Sequence, residues 1–211
     1  MLRCLGSFFG VVLPLVFFTG CPVSTRSSAV DDDLGLLANF SFTERGGQTV
    51  ERKDLLGKVW IAAFIFTRCA GPCSQVSGTM ARLQHELAPA GDVLLVSFTV
   101  DPEYDTPKVL QEYATRYGAD AKRWLFLTGD QDAMYQLIRQ GFHLTAQQNE
   151  GTDRVPGNEV MHDTRLAVVD RRCHLRALVD REGHLGYVDA RDPDAVPRLK
   201  QKIEALIREK P

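Results

Sequence analysis

The chain has 211 residues, enough for one domain of ordinary size preceded by a leader. Its apolar content of 44% and charged content of 25% place it with globular chains and exclude a disordered one. A net charge of −2, with no basic stripe anywhere, argues against a nucleic-acid or polyanionic partner.

In chain order, a targeting segment comes first. Arg3 is a minimal positive region, and Leu5 to Phe18 is an apolar run too short for a transmembrane helix. Phe18-Thr19-Gly20-Cys21 resembles a bacterial lipoprotein cleavage box, with Phe where that box usually has Leu. Residues 1–21 therefore read as a signal or lipoprotein leader, with Cys21 as the lipidation site. An uncleaved signal anchor is the alternative. Either reading places the rest of the chain outside the cytoplasm, in the cell envelope or periplasm, held at a membrane by its N-terminus. Residues 22–35 are rich in Ser and Asp and read as a flexible tether.

Residues 36–211 read as one domain. Phe40 and Phe42 alternate with polar residues before Gly46-Gly47, the pattern of an edge hairpin. Val59–Phe66 is apolar on both faces, as a central parallel strand is. Val76, Met80, Leu83 and Leu87 keep helical spacing after Cys73. Residues 92–100 form a second buried strand. Asp105 or Thr106 caps a helix that has Pro107 just inside it and Gly118 at its end. A short strand follows at Trp124–Leu127, then a helix from Asp130 to about Gly141. Residues 143–161 read as a long loop or small hairpin. Two strands, Thr164–Val169 and Leu175–Val179, meet at a tight turn, and a helix covers residues 193–208. The alternation predicts an α/β fold: a mostly parallel, thioredoxin-like central sheet with helices on both faces and an antiparallel C-terminal hairpin.

The chemistry concentrates at Thr67-Arg68-Cys69-Ala70-Gly71-Pro72-Cys73, directly after the central strand. Open α/β sheets place their ligand sites at the carboxyl ends of strands. Thiols four residues apart, with Cys73 opening a helix, fall on one side of a turn. Cys4 and Cys21 belong to the leader, so Cys69, Cys73 and Cys173 remain, too few for a disulfide framework. The pair itself suits a soft metal ion, a simple disulfide or a redox dithiol.

Leu56-Gly57-Lys58-Val59, then Phe64 to Cys69, and Cys73 together resemble the Sco (SenC) family of copper-binding, thioredoxin-like proteins. Val100 to Pro107 (VDPEYDTP) looks like that family's second signature, and His162 before the Thr164–Asp170 strand matches its third. The resemblance covers residues 36–208. It implies that Cys69, Cys73 and His162 bind one copper ion, as Cu(I) or Cu(II). It further implies a carrier or thiol reductant for the binuclear copper centre of cytochrome c oxidase, with that enzyme's copper subunit or another exported copper protein as partner. Ala70 and Ser74 stand where the family usually has proline. The competing reading is an extracytoplasmic thiol–disulfide oxidoreductase acting without metal through the redox pair Cys69 and Cys73. Against it, no proline stands at His162-Asp163-Thr164, where thioredoxins carry their cis-proline. A peroxiredoxin is a third option, and its motif spacing fits poorly. His85, His143, His174 and His184 read as surface residues, with His143 the spare ligand. Met161 reads as packing, Cys173 as an exposed turn residue whose thiol could form a dimer, and Asp101 and Asp105 as turn and cap residues, with a supporting role near the metal as the alternative.

Overall fold

The structure is a computed structural model and describes residues 31–90, 93–179 and 184–209. The leader, with Cys21, lies outside them. The chain opens with β1 (Asp33–Leu36), β2 (Ser41–Glu44), β3 (Thr49–Glu51) and β4 (Val59–Ile65). Then come α1 (Cys73–Glu86), β5 (Val93–Thr99), α2 (Pro107–Arg116), β6 (Trp124–Thr128) and α3 (Gln131–Gln136). A hairpin of β7 (Ala146–Gln148) and β8 (Val160–His162) precedes β9 (Arg165–Val169) and β10 (His174–Arg176). Short strands β11 (Leu178–Val179), β12 (Leu185–Gly186) and β13 (Val188–Asp189) lead into α4 (Ala195–Arg208).

The main sheet runs β1-β10-β9-β4-β5-β6-β2-β3, with β13 also on β9. Strands β4, β5 and β6 are parallel, and both flanks are antiparallel. This is the thioredoxin-like α/β plan, with β9–β10 as its C-terminal hairpin. Every residue of β4 is buried, which is why its sequence is apolar throughout rather than alternating. Trp60 and Phe64 point to one face, where they join Phe40, Phe42, Phe98 and Phe142 in an aromatic layer with ring centroids 5.0 to 6.3 Å apart. Helices α1, α2 and α4 lie together. The Tyr113 hydroxyl of α2 meets Ser77 of α1 at 2.8 Å, and Thr79 of α1 donates to the Ala190 carbonyl at 2.7 Å. Thr106 caps α2 with Pro107 as its first residue, and Gly118 follows at φ +61°.

Two expectations change. The fold begins inside the segment read as tether: β1 pairs with β10, the Asp32 carboxylate accepts from Arg176 at 2.6 Å and from Lys202, and Asp33 meets His174 at 2.8 Å. Hydrophobicity at residues 33–36 is too weak to announce a strand, and charge pairing holds it. Cys173 is not exposed; it is fully buried at φ +62°, its thiol 3.6 Å from the Arg52 carbonyl oxygen. The turn is covered by the segment ahead of β4, since the Gly57 amide donates to Arg171.

Candidate metal centre

The carboxyl end of β4 receives three pieces of chain. Strand β9 runs antiparallel to β4 with Ala62 opposite Ala167, so the residues just before β9 arrive at the end of β4. That register carries His162, the last residue of β8, to the two cysteines. Cys69 sits half-buried in the turn after β4, and Cys73 is the first residue of α1 and 1% exposed. Both thiols are free. The two Sγ atoms and an imidazole nitrogen lie within 4.8 Å of one another, and among the described residues this is the one cluster of His, Cys and carboxylate groups able to hold a metal.

Cys73 Sγ stands 3.2 Å from His162 Nε2. His162 Nδ1 lies 3.0 Å from the Asp163 carbonyl oxygen, which can only accept, so Nδ1 carries a proton and Nε2 is the nitrogen offered to a metal. The Phe66 ring meets the imidazole edge-on, 5.5 Å away at 84°, and fixes its plane. A hydrogen bond from Cys73 is the main reason the Cys69 thiol is lowered to about 4. The Gly71 amide, 3.3 Å away, adds to it against partial burial. The same pairing and deep burial push Cys73 up. One thiolate is thus formed in advance, and the second forms when a cation replaces its proton.

A ring of polar contacts supports the site. The Arg68 guanidinium donates to Asp101 at 2.7 Å and to Glu159 at 3.1 Å, and lies 4.5 Å over the Tyr104 ring. The Ala70 amide donates to the Gly157 carbonyl at 3.0 Å, joining the cysteine turn to the β7–β8 hairpin. Asp105 is fully buried and is not the cap of α2, which is Thr106. Its carboxylate accepts from the Thr67 hydroxyl at 2.5 Å, the Thr67 amide at 3.1 Å and the Thr99 hydroxyl at 2.5 Å. It therefore ties the end of β4 to the end of β5. An open cavity of about 650 Å³ lies against Cys69, lined also by Phe66, Pro72, Val155, Met161 and His162.

The structure brings Cys69, Cys73 and His162 together. His85 and His143 are exposed and outside the cluster, and His174 is half-buried against Asp33. Met161 is not packing: it is 49% exposed at the cavity mouth, because β8 belongs to a surface hairpin and only one side of it is covered. Arg68, Gly157 and Glu159 are structural partners of the site that sequence reasoning missed; the Pro156-Gly157 turn signal was visible without its contact.

A SCO1/SenC family model matches residues 30–186 of the chain. The chain belongs to this family. The SCO1 protein homolog of Bacillus subtilis is 37% identical over 149 residues, 69% of this chain and 76% of its own length. A SCO1/SenC family lipoprotein from Bacillus anthracis has a TM-score of 0.72 at 26% identity, covering 84% of this chain and 99% of that one. BsSco has a TM-score of 0.70 at 28% identity, covering 85% and 98%; that protein has a disulfide switch and is a member of the Sco family of cytochrome c oxidase assembly proteins. Bradyrhizobium japonicum ScoI, solved with copper bound, shares the fold at a TM-score of 0.58 and 22% identity, covering 79% and 98%. Among the described residues no helix is long and apolar enough to cross a membrane.

Proposed function

We propose that this Sco-family chain is an exported copper carrier, tethered to a membrane through Cys21 or an uncleaved signal anchor, that serves the copper centre of cytochrome c oxidase. The observation that carries the reading is the convergence of two sulfurs and one Nε2 within 4.8 Å, on a fold whose family includes copper-bound members. The donor set fits copper: two soft thiolates select Cu(I), and the imidazole extends the site to Cu(II). Cys69 faces the open cavity, so a partner thiolate or imidazole would reach the ion from that side and displace the ligands one at a time. Oxidising the pair to a disulfide would remove both sulfur donors, so the redox state would gate the cargo.

The pre-formed Cys69 thiolate also favours the second reading, a dithiol oxidoreductase for exported proteins, with Cys69 as the attacking sulfur. One experiment separates them: add one equivalent of Cu(II) to the reduced full chain and record the visible spectrum for wild type and His162→Ala. The carrier gives an intense thiolate-to-copper charge-transfer band, altered or short-lived in the variant. No band in either protein, with both pairs merely oxidised, removes the copper reading and leaves the oxidoreductase.

A further inference from the structure

The cysteine turn and the histidine hairpin are separate pieces of chain, 89 residues apart between Cys73 and His162. Metal–ligand bonds tolerate errors of only about 0.2 Å, so the two pieces must be held in register by contacts across the gap. One is the backbone bond from Ala70 to Gly157. The other is Arg68, the residue next to Cys69. Its Nε donates to Asp101 Oδ2 at 2.7 Å and its Nη1 to Glu159 Oε1 at 3.1 Å. Glu159 Oε2 in turn accepts the Gly157 amide at 3.0 Å. Asp101 and Glu159 are 1% and 6% exposed, so each has surrendered its water to this guanidinium. One side chain thereby joins the end of β5, the cysteine turn and the hairpin three residues ahead of His162. The planar fork of arginine can aim at both carboxylates at once, whereas a lysine ammonium is a single point charge.

We propose that Arg68 is the positioning residue for the third ligand and, through it, sets which copper oxidation state the site can hold. The proposal rests on the copper reading above. Two thiolates are enough for Cu(I), but Cu(II) needs the imidazole. With the Arg68–Glu159 clasp open, the hairpin carries Nε2 out of range. The site then keeps Cu(I) and loses Cu(II).

The test uses the reduced full chain as wild type, Arg68→Met, Arg68→Lys, Glu159→Gln and the Arg68→Met/Glu159→Gln pair. Cu(II) and Cu(I) are each titrated against a competing chelator, and the His162 ring resonances are followed by NMR without metal. Cu(II) affinity is expected to fall about 10- to 100-fold in all variants, the range for lost partners of a metal-binding histidine. Cu(I) retention should stay near wild type. Lysine should not rescue, the double variant should fall no further than the worse single one, and the ring resonances should shift in the apoprotein. Equal loss of Cu(I) and Cu(II), or unchanged spectra and ring resonances in folded variants, overturns the proposal. If Arg68→Met does not fold, Glu159→Gln decides, since it keeps the Gly157 bond. If wild type itself shows no copper band, the copper reading has failed, and the apoprotein resonances alone judge whether Arg68 positions the ring.

Discussion

Gly157→Ala is the sharpest perturbation of the site that leaves every donor atom in place. Gly157 has φ +85°, and a Cβ built there would overlap the Ala70 Cβ, 3.0 Å from the Ala70 amide nitrogen and 3.3 Å from its Cα. Apolar carbons rest about 3.5–4.0 Å apart, so turn and hairpin must separate by on the order of 1 Å. That separation breaks the Ala70–Gly157 hydrogen bond, worth about 1 kcal/mol, and the left-handed backbone costs an alanine about 1–2 kcal/mol more. The sum of roughly 2–3 kcal/mol should lower the melting temperature by about 5–10 °C in a domain of this size. A shift of that order exceeds what a metal–nitrogen bond tolerates, so Cu(II) affinity should fall by about 10- to 100-fold. Thermal melting and Cu(II)–chelator competition measure the two effects. Adding Ala70→Gly removes the overlap with the Ala70 Cβ but leaves the crowding at the backbone nitrogen and Cα of residue 70 and the left-handed strain, so it should restore part of each. A Gly157→Ala protein that melts and binds Cu(II) like wild type would refute the claim that this contact sets the site.

Two further outcomes follow from the electrostatics. Native, reduced protein should alkylate with iodoacetamide at Cys69 at a rate flat from neutral pH down to about 5 and falling only as pH approaches about 4, because the thiolate persists down to that value; a rate still climbing through pH 8–9 contradicts it. Cys73 and Cys173, both buried, should react only on unfolding, as peptide mapping would show. Asp105→Asn replaces a carboxylate that accepts three hydrogen bonds and should cost about 1–3 kcal/mol in urea unfolding. Burial raises the Asp105 carboxyl above its ordinary value, so its contribution is greatest below the unfolded value and declines as pH rises through the folded one. The gap between wild type and variant should therefore be widest in acid, and a gap that widens with rising pH would contradict the assignment.

The elements legible beforehand are those whose signal is local. An unbroken apolar run marked β4, a helical stripe marked α1, and Thr106-Pro107 marked the start of α2. The Cys69–Cys73 pair was legible from donor type and spacing, and His162 through the resemblance of its segment to the Sco family's third signature; the structure brings the three side chains together. What was missed depends on distant partners. Nothing near Arg68 announces Glu159, and nothing near Gly157 announces Ala70, since both pairings exist only once β9 docks against β4. Cys173 and Met161 were misjudged for the same reason in opposite directions: the segment ahead of β4 buries a turn that looks exposed, while a strand that looks packed has nothing over its outer side.

Strand β1 bears on where a fragment of the domain can begin. By pairing with β10 it takes up backbone donors and acceptors that would otherwise line a bare sheet edge. Asp32 and Asp33 also occupy Arg176, Lys202 and His174 beside it. A soluble fragment started at residue 36, where the composition suggests the domain begins, would leave β10 free to recruit a strand from another copy and would take Asp32 from Lys202 and Asp33 from His174, while Arg176 would keep Asp170 and Glu209. A fragment started at Asp31 or earlier brings its own edge guard and should stay monodisperse where the shorter one self-associates.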